Sequence, residues 1–220
     1  METPANRAPE KARVAVLVAH PDDETLWAGG TMLTHRGWAI FVGSLCRSSD
    51  GDRASRFFRA MERLGAQGAM ADLDDGPAPQ APLDAEEVRT SILSLLPNGP
   101  FDLLITHGPT GEYTRHLRHE EVCRGTLELW SAGLISAREL WLFAYTDGRG
   151  SHLPEVEPGA DLVVELSEDA WSGKRDLLAD TYGFSPESWE ARAAPRREAF
   201  WRLASPVDAL AWLERGVLFQ

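Results

Sequence analysis

Chemistry is first suggested by the run Ala19-His20-Pro21-Asp22-Asp23-Glu24. One histidine and two adjacent aspartates in a buried turn are costly unless paired or bound to a metal. His20 and Asp23 lie three residues apart across a tight turn, so both can point at one ion. Zinc accepts imidazole nitrogen and carboxylate oxygen, and its catalytic sites use three protein ligands and keep one position open. The chain has six histidines: His20, His35, His107, His116, His119 and His152. Three of these, His107, His116 and His119, fall close together in one stretch. A His-x-x-His pair at a helix start can place one ring on the ion and the other beside a bound substrate. His35 lies late in a helix and suits a surface or helix-end role, and His152 lies in a loop rich in Gly and Pro.

If Asp23 holds the ion, Asp22 is near it and free. A free carboxylate beside metal-activated water is the general-base arrangement for amide hydrolysis. The metal lowers the pKa of its water towards ~7, and the carboxylate takes the proton. A donating histidine then stabilises the tetrahedral oxyanion and helps protonate the leaving amine. His116 is the candidate for that role. A set of two histidines and one aspartate accepts Zn2+, and also Fe2+ or another divalent ion.

The elements that must position these residues follow from the apolar pattern. Val14-Ala15-Val16-Leu17-Val18 is a continuous apolar run, which predicts a buried parallel strand over about 13–18. A helix follows over 24–36, then strand Trp38–Cys46, a polar loop 47–53, and helix Ala54–Leu64 ended by Gly65. A short strand at 68–71 leads into an acidic loop, Asp72–Pro82, and a helix over 83–96. Strand Phe101–Thr106, loop His107–Leu117, a helix from 118 or 119 to 132 and strand Glu139–Tyr145 complete the alternation. Such alternation predicts a Rossmann-like α/β three-layer sandwich with a mostly parallel central sheet. Right-handed crossovers place the strand-to-helix loops, and hence the histidines and aspartates, on one edge. The last third reads as strand Asp161–Leu166, possible at the sheet edge, helix Ala170–Thr181, and further helix over 187–216 broken at Pro195 and Pro206. Trp189, Phe200, Trp201 and Trp212 make this a helical C-terminal extension, 147–220, packed over the sheet. One of these aromatic rings could also serve as a stacking platform for a sugar or base.

The 220 residues, 43% of them hydrophobic, suit one domain over 12–220 behind a loose arm at 1–11. A net charge of -12 argues against docking on nucleic acid through phosphate neutralisation. Cys46 and Cys123 lie far apart and read as reduced packing thiols. Residues 1–11 lack the apolar centre of a signal peptide, and no run approaches the ~20 residues that span a bilayer. The expectation is a cytoplasmic protein with a small-molecule partner, without nucleic acid or membrane, and compatible with a homo-oligomer.

The first motif resembles the signature of the LmbE-like, or PIG-L-like, zinc-dependent N-deacetylases. Thr106-His107-Gly108-Pro109-Thr110-Gly111-Glu112-Tyr113 and His116-Leu117-Arg118-His119 resemble the second motif of that family, and Lys174 falls where members commonly carry a lysine. The resemblance runs from about Ala12 to Tyr182. It implies a Rossmann-like fold and hydrolysis of an N-acetyl group, commonly on a glucosamine unit such as N-acetylglucosamine. It further implies His20, Asp23 and His119 as zinc ligands, Asp22 as general base and His116 as the electrophilic histidine. Many members carry Asp or Asn just before the last histidine, where it orients the first; here that residue is Arg118, so the orienting partner must come from elsewhere. Arg47 and Arg53, in place of an Arg-Gly-Glu-like loop, are candidates to bind a substrate hydroxyl or anionic group. His107 and Tyr113 are further substrate-binding candidates, with Tyr113 one residue further from His116 than in the bacterial thiol-pathway members. The alternatives are a metal-dependent hydrolase of a different amide in a glycan or antibiotic tailoring pathway, and a metal-binding homologue without turnover.

Overall fold

The computed structural model describes residues 11–76, 81–113 and 115–214. Its chain order is β1 (Ala12–Val18), α1 (Asp23–Thr34), β2 (Trp38–Cys46), α2 (Gly51–Leu64), β3 (Gln67–Leu73), α3 (Ala85–Leu95), β4 (Leu103–Thr106) and α4 (Leu117–Ser131). Then come β5 (Leu140–Phe143), β6 (Tyr145–Thr146), β7 (Glu155–Val156), β8 (Leu162–Glu165), α5 (Glu168–Asp176), a π-helical turn (Leu177–Thr181), α6 (Trp189–Ala193), β9 (Arg197–Leu203) and α7 (Pro206–Glu214). The expected arm at 1–11 lies, but for Lys11, outside the described residues.

Seven strands form one sheet in the order β3-β2-β1-β4-β5-β9-β8. The first five are mutually parallel, and β9 alone runs against its neighbours β5 and β8. The continuous apolar run puts β1 at the centre, where both faces are covered. Successive side chains on a strand alternate in direction, and here they feed two cores. Val14, Val16 and Val18 pack with Leu26 and Trp27 of α1 and Phe57 and Met61 of α2. Ala15 and Leu17 pack with Val88 and Ile92 of α3 and Val122 and Leu127 of α4. The chain leaves β1 for β2 on one side and returns to β4 on the other. The carboxyl ends of β1 and β4 therefore flank a topological switch point, the usual ligand crevice of such sheets.

The expected helix over 187–216 is corrected. Among the described residues of that span only 189–193 and 206–214 are helical, and 197–203 is the strand β9, inserted between β5 and β8. Pro195 closes α6, as expected of a residue that cannot continue a helix. The charges at Arg196, Arg197 and Glu198 resemble a solvated helix face in sequence, yet Glu198 is fully buried. Its carboxylate accepts from Lys174 Nζ at 2.8 Å and from the backbone N–H groups of Gly30 and Thr31 at 2.9 and 2.6 Å. Lys174 is thereby a buried structural cation that joins α5 and β9, and β9 to α1. Gly30 allows this seam to close: a Cβ there would lie 2.2 Å from Leu166 Cδ1.

Smaller differences concern strand ends. β3 is longer than expected, and the 139–145 strand stops at Phe143, after which β6 pairs with β7 in a separate two-stranded sheet. The helix expected over 170–181 ends as a π-helical turn from Leu177. The strand at 161–166 is realised as β8 at the sheet edge. Cys46 and Cys123 are buried free thiols. Among the described residues no helix is long and apolar enough to cross a membrane.

Candidate metal centre

β1 ends at Val18 and the chain bends sharply to start α1. Asp22 takes the N-cap position with φ of 123°, a conformation that costs a non-glycine residue roughly 1–3 kcal/mol. Its backbone N–H donates to Glu24 Oε2 at 3.0 Å, and its carbonyl accepts from the N–H groups of Thr25 and Leu26. Its carboxylate makes no capping bond to the helix, although an aspartate there ordinarily does. The side chain instead lines a cavity of about 200 Å³ together with His20, Asp23, Arg47, Arg53, Asp75, Tyr113, His116, Trp189 and other residues. A larger hollow of about 550 Å³ lies between α3 and α4, but its charged residues largely pair with one another, Arg89 and Arg124 both with Glu128.

Three donor atoms converge at the floor of the smaller cavity. His20 Nδ1 stands 3.2 Å from Asp23 Oδ2 and 3.2 Å from His119 Nε2, and His119 Nε2 stands 3.3 Å from Asp23 Oδ2. Tetrahedral bonds of about 2.0–2.1 Å separate donor atoms by about 3.3–3.4 Å. The triangle therefore has the size, and the nitrogen and oxygen chemistry, that a zinc-like ion requires.

Each histidine of the triangle is backed by a carboxylate. His119 Nδ1 donates to Glu112 Oε2 at 2.6 Å, and His20 Nε2 faces Asp75 Oδ1 at 3.2 Å. Glu112 Oε2 also receives His107 Nδ1 at 3.0 Å, and Oε1 receives the N–H of Gly108 at 2.8 Å. His107 Nε2 accepts from the backbone N–H of Ala19 at 2.9 Å, so its proton must sit on Nδ1. A chain of hydrogen bonds thus runs from β1 through His107 and Glu112 to His119. Such partners orient a ligand ring and fix its tautomer.

The electrostatics follow from burial and this pairing. Burial pushes the Glu112 carboxyl up, but His107 and His119 outweigh it and hold the pKa at about 2. Burial lowers His119, but Asp23 and Glu112 raise it to about 10. Asp23 is held well below the carboxylate range because His119 and His20 overcome its burial. Asp22 shifts the other way: burial, then the charges of Asp23 and Glu24, raise it well above the ordinary value. Arg53 Nη1 stands 3.8 Å from Asp22 Oδ2. His116 falls to about 3, through burial and then repulsion from His119 and His20, so its ring is neutral. It stacks on His119 with ring centres 4.3 Å apart. Among the described residues its buried Nδ1 has no hydrogen-bond partner.

The structure brings His20, Asp22, Asp23, His116 and His119 together from the ends of β1 and the start of α4. Arg47, Arg53 and Tyr113 line the cavity with them. His107, a substrate-binding candidate, does not reach the cavity: it is fully buried, with both ring nitrogens engaged. Its place is beneath the triangle, and it is corrected from a substrate contact to a support of Glu112. His35 stacks on Trp38, and His152 bonds to Leu153 O; neither lines the cavity. Arg118 does not face His116. Its guanidinium bonds to Asp74 O at 2.6 Å, Ala81 O at 3.1 Å and Glu121 Oε2 at 2.6 Å.

Sequence reasoning missed Glu112, Asp75 and Glu190, whereas Trp189 was among the aromatic rings considered as a stacking platform. Glu112 lay inside a quoted motif, five residues after His107, where its spacing was the available signal. Asp75 lay in a loop read only as acidic. Trp189 and Glu190, from α6, form part of the cavity wall, with the Trp189 and Tyr113 rings 4.3 Å apart.

No protein-family model matches the chain, and no curated protein matches it in sequence. Solved structures do match in fold. N,N'-diacetylchitobiose deacetylase from Pyrococcus horikoshii aligns with a TM-score of 0.66 at 15% identity, over 91% of this chain and 85% of that one. The zinc-inhibited form of teicoplanin deacetylase Orf2 aligns with a TM-score of 0.62 at 14% identity, over 88% of this chain and 99% of that one. The 4-carboxy-2-hydroxymuconate hydratase GalB of Pseudomonas putida KT2440 aligns with a TM-score of 0.59 at 14% identity, over 87% and 96%. The protein thus shares the mostly parallel α/β fold of these deacetylases and of the hydratase.

Proposed function

We propose that this protein is a metal-dependent N-deacetylase that hydrolyses the N-acetyl, or a related small N-acyl, group of an amino sugar or similar small molecule. The observation that carries this reading is the donor triangle of His20, Asp23 and His119 beside an uncapped Asp22. These three residues would hold the ion, with Zn2+ the fitting choice and Fe2+ also suited to the set. When bound, such an ion polarises the amide carbonyl and acidifies water.

Asp22 takes a proton from the attacking water at its carboxylate. Its raised pKa makes it a better base than a solvated aspartate. The neutral His116 ring offers its N–H to the carbonyl oxygen as negative charge develops there. Asp22 then delivers its proton to the departing nitrogen, and acetate and a free amine result. Arg53 and Tyr113 border the space where the sugar would lie, while Arg47 is tied to Asp75 at 2.7 Å. Support for a sugar-like substrate comes from the diacetylchitobiose deacetylase of the same fold.

The test is acetate release from a panel of N-acetylated sugars, with and without a chelator, alongside metal analysis. About one zinc per chain and chelator-sensitive release are expected. A fully metal-loaded protein that releases no acetate from any member would overturn the reading. The hydratase of the same fold supplies the second reading, water addition to an unsaturated acid, and one such acid belongs on the panel.

A further inference from the structure

Arg118 is almost wholly buried, at 1% exposure, one residue before His119, and its guanidinium bonds to Asp74 O, Ala81 O and Glu121. A buried guanidinium needs its donors filled, and here they are filled by a loop. Asp74 O, immediately before Asp75, and Ala81 O both accept from it. Glu121, one turn on in α4, receives Arg118 Nη1 and also the N–H of Leu83. The first turn of α4 thus grips the strand-to-helix loop after β3 from one side. From the other side Arg47 Nε bonds to Asp75 Oδ2 at 2.7 Å. Between these grips the second carboxylate oxygen of Asp75 meets His20 Nε2 at 3.2 Å.

We propose that Arg118 is a positioning residue for the metal centre: by holding the Asp74 carbonyl it fixes the neighbouring Asp75 carboxylate on His20 Nε2, which would turn Nδ1 of that ring towards a bound ion. The proposal rests on His20 being a metal ligand, as in the function proposed above. One turn of α4 then serves both ligand histidines, carrying His119 directly and seating His20 through Arg118 and Asp75. The same grip accounts for an arginine where an orienting acid or amide would otherwise stand: its work is done on His20, and His116 is left neutral without it.

The experiment is a double-mutant cycle read on metal binding, which needs no substrate. Zinc affinity is measured by competition with a chromophoric chelator, and the visible spectrum of the Co2+ protein is recorded for each variant. Arg118→Met keeps the side-chain stem and removes the donors, and Asp75→Ala removes the carboxylate. Each is expected to weaken zinc binding about 10–100-fold, the usual effect of losing a partner of a ligand histidine. The double variant is expected to be no weaker than the poorer single variant within about threefold, because the two residues act in series. The Co2+ spectrum of Arg118→Met should change in the same sense as that of Asp75→Ala. Multiplying losses in the double variant, or an Arg118→Met protein that melts earlier but binds zinc as tightly as the parent, would overturn the proposal. Should Arg118→Met not fold, Arg118→Lys takes its place in the cycle with the same criteria. A parent protein that binds no zinc overturns both this proposal and the function. A parent that binds zinc and releases acetate, with Arg118 variants of unchanged affinity, overturns this proposal alone.

Discussion

Replacing Glu112 by glutamine tests whether the hydrogen-bond chain beneath the metal triangle sets its affinity. Glu112 is fully buried and accepts three hydrogen bonds, from His119 Nδ1, His107 Nδ1 and the Gly108 N–H. A glutamine in the same place has one accepting oxygen and one donating NH2. With the oxygen towards the histidines, the NH2 meets the Gly108 N–H; reversed, it meets two imidazole N–H groups. Either orientation opposes donor to donor at a fully buried position. His107 cannot turn its tautomer to help, because its Nε2 is held by the Ala19 N–H. Loss of a carboxylate behind a ligand histidine weakens metal binding by about 10–100-fold, or ~1.4–2.7 kcal/mol. The metal-free protein should also lose about 1.5–3 kcal/mol of stability with its charge-assisted bonds. Chelator competition gives the first quantity and denaturant unfolding of the chelated protein the second. Glu120→Gln is the control for metal binding, since the Glu120 carboxylate pairs with Arg115 and with no residue of the triangle, and zinc affinity should stay nearly unchanged. A folded Glu112→Gln protein that binds zinc within about threefold of the parent would refute the assignment.

Asp22→Asn should keep its metal and lose about 10²–10⁴-fold in kcat, measured as acetate release from the best substrate of the panel; retained turnover would remove Asp22 as the base. Metal uptake near neutral pH should release about one proton, since His119 in the metal-free protein is held protonated up to about 10 and its Nε2 must be bare to bind. Titration calorimetry in buffers of different ionisation enthalpy measures this, and no buffer dependence would count against it. The sign for stability follows from the same raised value. In the metal-free protein the His119 contribution is fully present below pH 6.5 and is lost as pH rises through about 10. Gly30→Ala should cost about 1–3 kcal/mol in denaturant unfolding, because the added methyl would fall on the buried Leu166 side chain at 2.2 Å; an unchanged midpoint would show that Leu166 yields freely.

The parallel half of the sheet was legible because β1, β2 and β4 are apolar runs bounded by polar turns and followed by helical patterns. β9 was not. Its seven residues carry three charges, and burial of Glu198 becomes intelligible only with Lys174 and the backbone of α1 around it. The triangle residues and Asp22 could be read because they sit in two short motifs at predictable strand ends. The carboxylates behind them differ in this respect. Glu112 reaches His107 and His119 within a single loop, so its spacing was in principle readable. Asp75 reaches His20 only through the packing of three separate loops, and no spacing encodes that meeting. The role of Arg118 was hidden for the same reason, since its acceptors are backbone carbonyls, which carry no residue identity.

The insertion of β9 between β5 and β8 bears on how the molecule assembles. β8 is synthesised before β9, yet every ladder bond it makes is with β9. Zipping in chain order therefore stops at β5, and the far edge of the sheet must wait for a strand made some thirty residues after β8. The same strand brings Glu198 to the N–H groups of Gly30 and Thr31, contacts 168 and 167 residues apart in the chain. Closures of that span are slow and come late in folding. The helix that opens with Asp23 therefore gets its last support from β9, and the turn that presents Asp22 and Asp23 is completed only when that strand is in place.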